Sequence, residues 1–189
     1  MIESKEDLRY YLEQDKIALN YPSSQKRPTF KDDIWKFEIL LRKNEYVTNC
    51  LTSPLFLPYK AYIKYRYHKL SVKLGFSVPI NSIGPGLSIA HYGLLTIGNC
   101  QIGKNCRIQE GVNIGATSGN PRAATIGDNV FIGTGAKIIG DITVADEVVI
   151  GAGSVVTRSI TESRVTYAGV PARKISNNNS KMFINKNLD

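Results

Sequence analysis

Hydrophobic and polar residues follow two different patterns along the 189-residue chain, and the change falls near Gly75. Before Gly75, apolar residues recur at helical spacing in three stretches that proline-containing segments separate. Capping residues and prolines predict helices at residues 4–20, 29–49 and 58–75. Residues 1–75 are therefore expected to be α-helical.

After Gly75 the spacing of the aliphatic residues changes to six. The series is Ile102, Ile108, Ile114, Ile126, Ile132, Ile138, Val144, Ile150 and Val156, with Asn120 as its interruption. Upstream, Ile83, Ile89 and Leu95 keep this spacing with an offset, which predicts one inserted residue between Leu95 and Ile102. A period of six fits neither an α-helix, a coiled coil nor a flat alternating strand. It predicts a solenoid of short parallel strands and tight turns around an aliphatic axis.

This change divides the chain into an α-helical N-terminal region at residues 1–75, a β-solenoid at residues 76–175 and a polar tail at residues 176–189. Hydrophobic residues make up 42% of the chain and charged residues 21%, which excludes a fibrous or wholly disordered protein. The polar, acidic start of the chain does not resemble a secretory signal, so a cytoplasmic location is expected. The three cysteines lack CxxC spacing, and we expect neither disulfides nor a metal site.

The net charge of +8 is unevenly distributed, because no acidic residue occurs between Glu45 and Glu110. A basic surface attracts phosphates, acidic sugars, membranes and nucleic acid without distinguishing among them. Tyrosines alternate with lysines and arginines along the third predicted helix, a pattern compatible with nucleic acid or an anionic membrane. The alternative is that one face packs on the solenoid while the basic residues are solvated. We expect no nucleic-acid partner, and we leave open a contact with a membrane-linked glycan precursor.

Three segments of the solenoid carry a specific resemblance. They are IGKNCRIQEGVNIGATSG, ATIGDNVFIGTGAKIIGDITVADEVVIGAGSVVTRSI and YAGVPARKI. In these segments the chain resembles the hexapeptide-repeat acyltransferases, which implies a mainly β fold with a left-handed parallel β-helix after the helical region. The segment GLSIAHYG and the order of the coils are similar to serine acetyltransferases and to relatives that acetylate sugars or polysaccharides. In that branch the β-helix forms a homotrimer, and acetyl-CoA lies in a groove between neighbouring subunits.

His91 matches the catalytic histidine of this branch, which implies that it is the general base for the acceptor hydroxyl. Serine acetyltransferases orient this histidine with an aspartate about fifteen residues earlier, but the stretch from Gly75 to Pro79 here contains no acid. Three hexapeptides and the inserted residue separate His91 from Glu110, so the two should stack on adjacent coils. Glu110 is expected to orient His91 or to bind the acceptor; the alternative is an exposed surface residue.

The acceptor site departs from that of the serine enzymes. They place an aspartate immediately before the histidine and an Arg-His pair in a later loop, where this chain has Ala90, Arg122 and Ala123. A zwitterionic amino acid needs a carboxylate for its ammonium group as well as a cation for its carboxylate. We expect Arg122 and the segment at Ala90 to contact a hydroxyl of a sugar or polysaccharide. The alternative is serine O-acetylation for cysteine biosynthesis.

For acetyl-CoA, the resemblance implies backbone contacts from small residues and phosphate contacts from basic residues near the last coil. The small residues are Ala116, Thr134 and Ala152, and the basic residues are Arg158, Arg173 and Lys174. We expect a homotrimer and leave the pairing of two trimers open. An N-acetyltransferase and a catalytically inert scaffold or glycan-binding module are the other classes that remain.

Overall fold

The computed structural model describes residues 1–188 and begins with an α-helical region. Its helices are α1 (Lys5–Ala18), α2 (Asp33–Asn49) and α3 (Leu57–Leu74). Ser4 caps α1 by accepting a hydrogen bond from the Asp7 amide at 3.0 Å, and Gly75 ends α3 in the left-handed conformation. No helix within residues 1–188 is long and apolar enough to cross a bilayer.

Helix α2 begins four residues later than the sequence predicts. The amide and hydroxyl groups of Thr29 both donate to the Asp32 carboxylate, at 2.6 and 2.8 Å. These hydrogen bonds close a turn in front of the helix, so that Asp32 rather than Thr29 occupies the N-cap position. The backbone of Asp32 is itself not helical, so α2 begins at Asp33.

The remainder of the chain forms short strands. They are β1 (Phe76–Ser77), β2 (Ser88–Ile89), β3 (Leu95–Ile97), β4 (Gln101–Ile102), β5 (Arg107–Ile108), β6 (Asn113–Gly115), β7 (Thr125–Ile126), β8 (Phe131–Ile132), β9 (Lys137–Ile139), β10 (Thr143–Val144), β11 (Val149–Ile150), β12 (Val155–Val156), β13 (Thr166–Gly169) and β14 (Ala172–Ser176). Among the described residues they stack into three faces that the chain visits in turn. Face A contains β1, β3, β6, β9 and β12; face B contains β4, β7 and β10; face C contains β2, β5, β8, β11, β13 and β14.

The strands of successive coils pair in parallel, and the aliphatic residue of each repeat points into the axis. Ile89 pairs with Ile108, which pairs with Ile132, and each of these side chains is at most 1% exposed. Ile89 and Ile108 are nineteen residues apart rather than eighteen, so the first coil is longer as predicted. The location predicted for the extra residue is wrong, because Ile97 rather than Leu95 pairs with Ile114, which places the added length between Ile89 and Ile97, in the turn that carries His91. The fold is the predicted left-handed parallel β-helix preceded by a helical region. Burial of each such side chain stabilises the coil by about 1.5–3 kcal/mol.

Ionised side chains from the helices close the first coil of the β-helix. Arg42 is fully buried and binds Asp15 at 2.7 Å and Glu45 at 3.2 Å. It also donates to the carbonyls of Ile83 and Gly84 at 2.8 and 2.7 Å. Although burial disfavours its charge, the two carboxylates raise the pKa of Arg42 above its usual value. This cluster supplies partners for backbone groups that no earlier coil can satisfy.

The carboxylates of this cluster accept hydrogen bonds from backbone amides at the same edge of the β-helix. Asp15 accepts the amides of Gly86 and Leu87, both at 2.9 Å, and Glu45 accepts the amide of Asn81 at 2.9 Å. Helices α1 and α2 are therefore fixed to the β-helix through charge-assisted hydrogen bonds as well as apolar contacts. The segment that carries His91 begins immediately beyond this cluster.

Glu38 is another buried acidic residue at this edge of the β-helix. Its Oε1 accepts the Ile89 amide at 3.0 Å, while its Oε2 is buried without a hydrogen-bond partner among the described residues. Burial, reinforced by the charge of Asp15, raises the pKa of Glu38 well above the ordinary value for a carboxyl group. The folded protein therefore holds a proton on Glu38 where the unfolded chain has released it.

The substitution Glu38→Gln is expected to stabilise the protein at neutral pH and to have little effect at acid pH. Because the pKa of Glu38 is raised on folding, its ionisation makes the free energy of unfolding fall as the pH rises above about 4.3. Glutamine keeps an oxygen acceptor for the Ile89 amide but carries no proton to lose. Urea unfolding at about pH 4.5 and about pH 7.5 should show the variant gaining about 1 kcal/mol or more relative to the natural chain. A constant difference at the two pH values would contradict this account.

The C-terminal tail lies along the β-helix rather than away from it. Phe183 stacks on Phe131 of β8 with ring centroids 4.1 Å apart. Asn185 donates to the carbonyl of Ile17 and to the side chain of Asn20 at 2.6 and 2.9 Å. The tail thus connects the middle coils with the end of α1.

Candidate active site

His91 lies in the turn at residues 90–94, at the corner where the first coil passes from face C to face A. Its side chain is exposed. The neighbouring residues are anchored to the helical region, because the Tyr92 hydroxyl donates to the Lys31 carbonyl at 3.4 Å and the Gly93 amide donates to the Leu74 carbonyl at 3.3 Å. The backbone that carries His91 is therefore held on both sides while the imidazole faces solvent.

Strand pairing gives His91 equivalents in each later coil. The register of face C continues from Ile132 of β8 to Ile150 of β11. Counting two residues beyond the paired isoleucines of each coil gives one column at this corner, formed by His91, Glu110, Thr134 and Ala152. Adjacent coils are about 4.8 Å apart, within reach of these side chains. Two of the residues named from the sequence for cofactor binding, Thr134 and Ala152, therefore lie at the same corner as the two named for catalysis.

Glu110 follows His91 in this count, and its side chain lies beside the turn that carries His91, since a side-chain carbon added at Gly93 would be 3.6 Å from Glu110 Cβ. Within residues 1–188 no hydrogen bond or ion pair joins the two side chains, and Glu110 Oε2 is buried without a hydrogen-bond partner. A buried carboxylate oxygen that lacks a partner retains the capacity to accept a hydrogen bond.

An open groove follows the lower half of the column. Gly135 and Gly153 come directly after Thr134 and Ala152, and both adopt left-handed backbone conformations, with φ of +71° and +65°. A side-chain carbon added at either glycine would meet no atom within 4 Å. The backbone beside Thr134 and Ala152 is consequently accessible to a ligand of CoA's shape.

A cavity of about 470 Å³ contains this part of the groove. It is lined by Arg107, Gln109, Phe131, Gly133, Thr134, Ala152, Met182 and Phe183. Arg107 and Gln109 could have been found from the sequence as the neighbours of inward-facing Ile108. Met182 and Phe183 could not, because the tail carries no repeat that places it beside a particular coil.

Ala116 and Arg158 lie at the other edge of face A, where each coil turns toward face B. Strand pairing makes them equivalent positions two coils apart, on either side of Gly140. The loop at residues 116–124 projects from this edge, and Arg122 is exposed on it. Ala123, by contrast, is 3% exposed and its amide donates to the Asn99 carbonyl at 2.8 Å. Its side chain points into the protein and cannot meet an acceptor.

The three basic residues proposed for phosphate contacts line one cavity of about 480 Å³. Arg158 and Arg173 are exposed there, and Arg173 donates to the Ala172 carbonyl at 3.1 Å. Lys174 is paired with Glu162 at 2.6 Å, which neutralises part of its charge. The two arginines are thus the better placed for a phosphate group.

One chain does not bring all of these residues together. His91, Glu110, Thr134 and Ala152 occupy one edge of face A, whereas Ala116, Arg122 and Arg158 occupy the opposite edge. A wider cavity of about 970 Å³ between α1, α2 and their linker contains none of the residues named from the sequence. We assign the candidate active site to the His91 edge, because the base, the unpaired carboxylate and the open groove meet there.

Cysteines and metal ligands contribute nothing to this site. Cys100 and Cys106 are buried on different corners, and burial raises the pKa of the Cys100 thiol to about 12 and that of Cys106 further still. Among residues 1–188 no group of three His, Cys, Asp or Glu side chains could hold a metal ion. The chemistry of the described site is therefore that of an imidazole and a carboxylate.

A three-faced coil built from hexapeptide repeats is typical of one class of transferases. The model of that class, bacterial transferase hexapeptide (six repeats), matches residues 123–158. In these residues and in its fold the chain is similar to the hexapeptide-repeat transferases.

Individual members of this family that resemble the chain are serine acetyltransferases. The enzyme of Staphylococcus xylosus is 40% identical over 116 residues, which are 58% of this chain and 53% of that protein. The crystal structure of the Brucella abortus enzyme has a TM-score of 0.72 at 27% identity, covering 94% of this chain and 72% of that one. The same enzyme in complex with coenzyme A gives 0.69 at 28% identity, over 92% and 70%. The chain spans about half the length of the curated relatives it matches.

Proposed function

We propose that this protein is an acetyl-CoA-dependent O-acetyltransferase with His91 as its general base. The observation that carries the proposal is the column in which His91, the unpaired carboxylate of Glu110 and the groove at Thr134 and Ala152 follow one another. A relative of the same fold is known in complex with coenzyme A, which supports this donor.

The reaction proceeds by direct attack of the acceptor on the thioester. The acceptor oxygen forms a bond to the acetyl carbonyl carbon while His91 takes the hydroxyl proton. The carbon–sulfur bond then breaks, and the imidazolium returns its proton to the departing thiolate of CoA. Glu110 accepts a hydrogen bond from the imidazole or from the acceptor and thereby fixes the geometry of attack.

L-Serine is the acceptor that the comparisons favour, because the relatives are serine acetyltransferases. The sugar acceptor expected from the sequence has no such support. A sugar remains the second candidate for two reasons. The site has no acid at position 90, where the residue is Ala90, and the side chain of Ala123 is buried. An amino acid's ammonium group would then rely on Glu110 alone.

A homotrimer completes the site. Within one chain, Arg122 and Arg158 are separated from His91 by the width of face A. Packing of neighbouring chains side by side brings the loop edge of one chain to the histidine edge of the next. Acetyl-CoA then lies between subunits, with its phosphates near Arg158 and Arg173 and its acetyl group at His91.

The experiment that tests this function measures thiol release from acetyl-CoA by the purified protein. L-Serine is supplied in one series, and sugars, nucleotide sugars and oligosaccharides in another. Serine-dependent turnover that is lost in the His91→Ala variant supports the first acceptor, and turnover with a sugar alone supports the second. Absence of turnover with every acceptor would overturn the proposed activity.

Substitution of both arginines, Arg158→Gln with Arg173→Gln, is expected to raise the KM for acetyl-CoA about 10-fold or more with a smaller change in kcat. The side chains meet the nucleotide phosphates, which are far from the reacting carbonyl. The matched control is acetyl-pantetheine, a donor without these phosphates, whose KM should be unchanged. Equal losses with both donors would show that the arginines act elsewhere.

A further inference from the structure

Helix α3 has two apolar faces, of which one is covered. The covered face carries Ile63, Tyr67, Leu70 and Leu74, which contact α2 and the first coil. The other face points to solvent along its whole length. Pro58, Tyr65 and Val72 are spaced by seven residues and therefore form a single line on it, opposite the covered residues.

The outward face exposes an unusual amount of large apolar side chain. Tyr65 is 60% exposed and Val72 is 69% exposed, and the short 3-10 turn before the helix adds Leu55 at 88%. The other exposed apolar residues of this segment are Phe56, Leu57, Tyr59 and Tyr62. Contiguous apolar surface of this kind is rare on a protein that has no further contact to make. Scattered single residues would need no explanation, but these follow one another over residues 55–72.

Cations flank the apolar line on both sides. Lys64 lies on one side, and Arg66 and Lys69 lie on the other. No acidic residue occurs between Glu45 and Glu110, so that the acid meeting α3 is Asp33 of α2, which binds Lys73 at the end of the helix. The face therefore combines an apolar centre with a positive rim.

We propose that the outward face of α3 and the turn before it dock on an anionic lipid bilayer. Tyrosine and aliphatic side chains enter the headgroup boundary, while the flanking lysines and arginine meet lipid phosphates. The helix lies in the plane of the surface, because its opposite face is occupied by α2 and the first coil. This proposal is independent of the acetyl-transfer activity and of its acceptor.

Two other occupants fit the face less well. In a two-fold dimer, a second copy of this chain would place Lys64, Lys69 and their neighbours against the same cations, and the proposed trimer uses the edges of face A rather than α3. Nucleic acid is bound mainly by cations that contact phosphates. Here the centre of the face is apolar and the cations stand at its margins.

Flotation with lipid vesicles tests the proposal. The protein is mixed with phosphatidylcholine vesicles that contain about 30% phosphatidylglycerol, and in parallel with pure phosphatidylcholine vesicles. We expect binding to the anionic vesicles and at least about 10-fold weaker binding to the neutral ones. Equal partitioning on both vesicles, or no binding to either, would overturn the proposal.

Two variants separate the charged and apolar contributions. Lys64→Glu with Lys69→Glu should lower partitioning on the anionic vesicles about 10-fold or more, and Tyr65→Ser with Val72→Ser should lower it as well. The matched control, Lys5→Glu with Arg9→Glu on exposed positions of α1, makes the same change in net charge and should bind almost as the natural chain does. Loss of binding in the control as large as in the α3 variant would show a general charge effect and overturn the assignment.

The same variants report on the alternative occupants. Light scattering measures the oligomeric state of each variant, and a duplex DNA of mixed sequence is offered in place of vesicles. Dissociation of the natural oligomer by Tyr65→Ser with Val72→Ser would assign the face to a second copy and overturn membrane docking. DNA binding that depends on Lys64 and Lys69 without vesicle binding would do the same in favour of nucleic acid.

Discussion

Replacing His91 with alanine is expected to lower kcat/KM for acetyl transfer by about 100-fold to 10,000-fold, the range over which general bases contribute. Of the chain's two histidines, His91 is exposed in the turn between β2 and β3, while His68 is an exposed residue of α3. Within the described part of the chain, the cavity at Thr134 and Ala152 is lined by no histidine, carboxylate or cysteine that could take the role of base instead. The assay is release of the CoA thiol with saturating acceptor.

The His68→Ala variant is the matched control for this substitution. Both histidines are exposed, so neither variant should unfold, and thermal denaturation should show nearly equal midpoints. Binding of CoA should persist in His91→Ala, because the groove at Gly135 and Gly153 is unchanged. Similar activity in the two alanine variants would refute the role given to His91.

Replacing Arg42 with methionine is expected to destabilise the fold by about 3–5 kcal/mol, a large part of the 5–15 kcal/mol that a domain typically has. Methionine fills much of the volume but leaves Asp15 and Glu45 buried without a countercharge. It also removes the donors of the Ile83 and Gly84 carbonyls. Urea unfolding followed by circular dichroism measures the loss.

Arg9→Met provides the comparison, because Arg9 is an exposed arginine that pairs with Glu6 at 3.8 Å. It should cost less than about 1 kcal/mol. Arg42→Lys should also be strongly destabilising, since one ammonium group cannot reach two carboxylates and two carbonyls at once. A cost for Arg42→Met no larger than that for Arg9→Met would show that the cluster does not hold the first coil.

Replacing Arg42, Asp15 and Glu45 together by apolar residues should also destabilise the fold. In many proteins a buried ion pair can be exchanged for hydrophobic residues with no loss of stability. Here Asp15 and Glu45 also accept the amides of Gly86, Leu87 and Asn81. Those amides would be left without acceptors, and each would cost about 1–3 kcal/mol.

Much of the fold could be predicted from the sequence, because a solenoid repeats one local rule. Most strands lie where the spacing of the isoleucines predicts them, and the break before Ile102 indicated correctly that the first coil is longer. The place of the added length was predicted wrongly, because Leu95 and Ile97 are both apolar and only the strand register shows that Ile97 pairs with Ile114. The Arg42 cluster could not be predicted in the same way. Buried charges on α1 and α2 follow no period, and their partners are backbone groups about forty to seventy residues away.

The candidate site could likewise be predicted from the sequence only in part. Glu110 and Thr134 follow from His91 by counting residues in the coil, so the column could be derived from the register alone. The walls supplied by Met182 and Phe183 could not, because a stacking contact with Phe131 leaves no trace in a tail without periodicity. The burial of Ala123 was equally hidden, since it depends on how the loop at residues 116–124 folds back on Asn99.

The closed ends of the β-helix limit how copies of this chain can assemble. A stack of parallel strands with an open end is a template on which further chains can add without limit. At the first coil, amides and carbonyls are already bound by Asp15, Arg42 and Glu38, and on face C of the last coil β14 runs antiparallel to β13 instead of continuing the parallel stack. Growth of the β-helix into a fibre by strand addition is therefore opposed at these places, so copies of the chain are expected to associate through other surfaces.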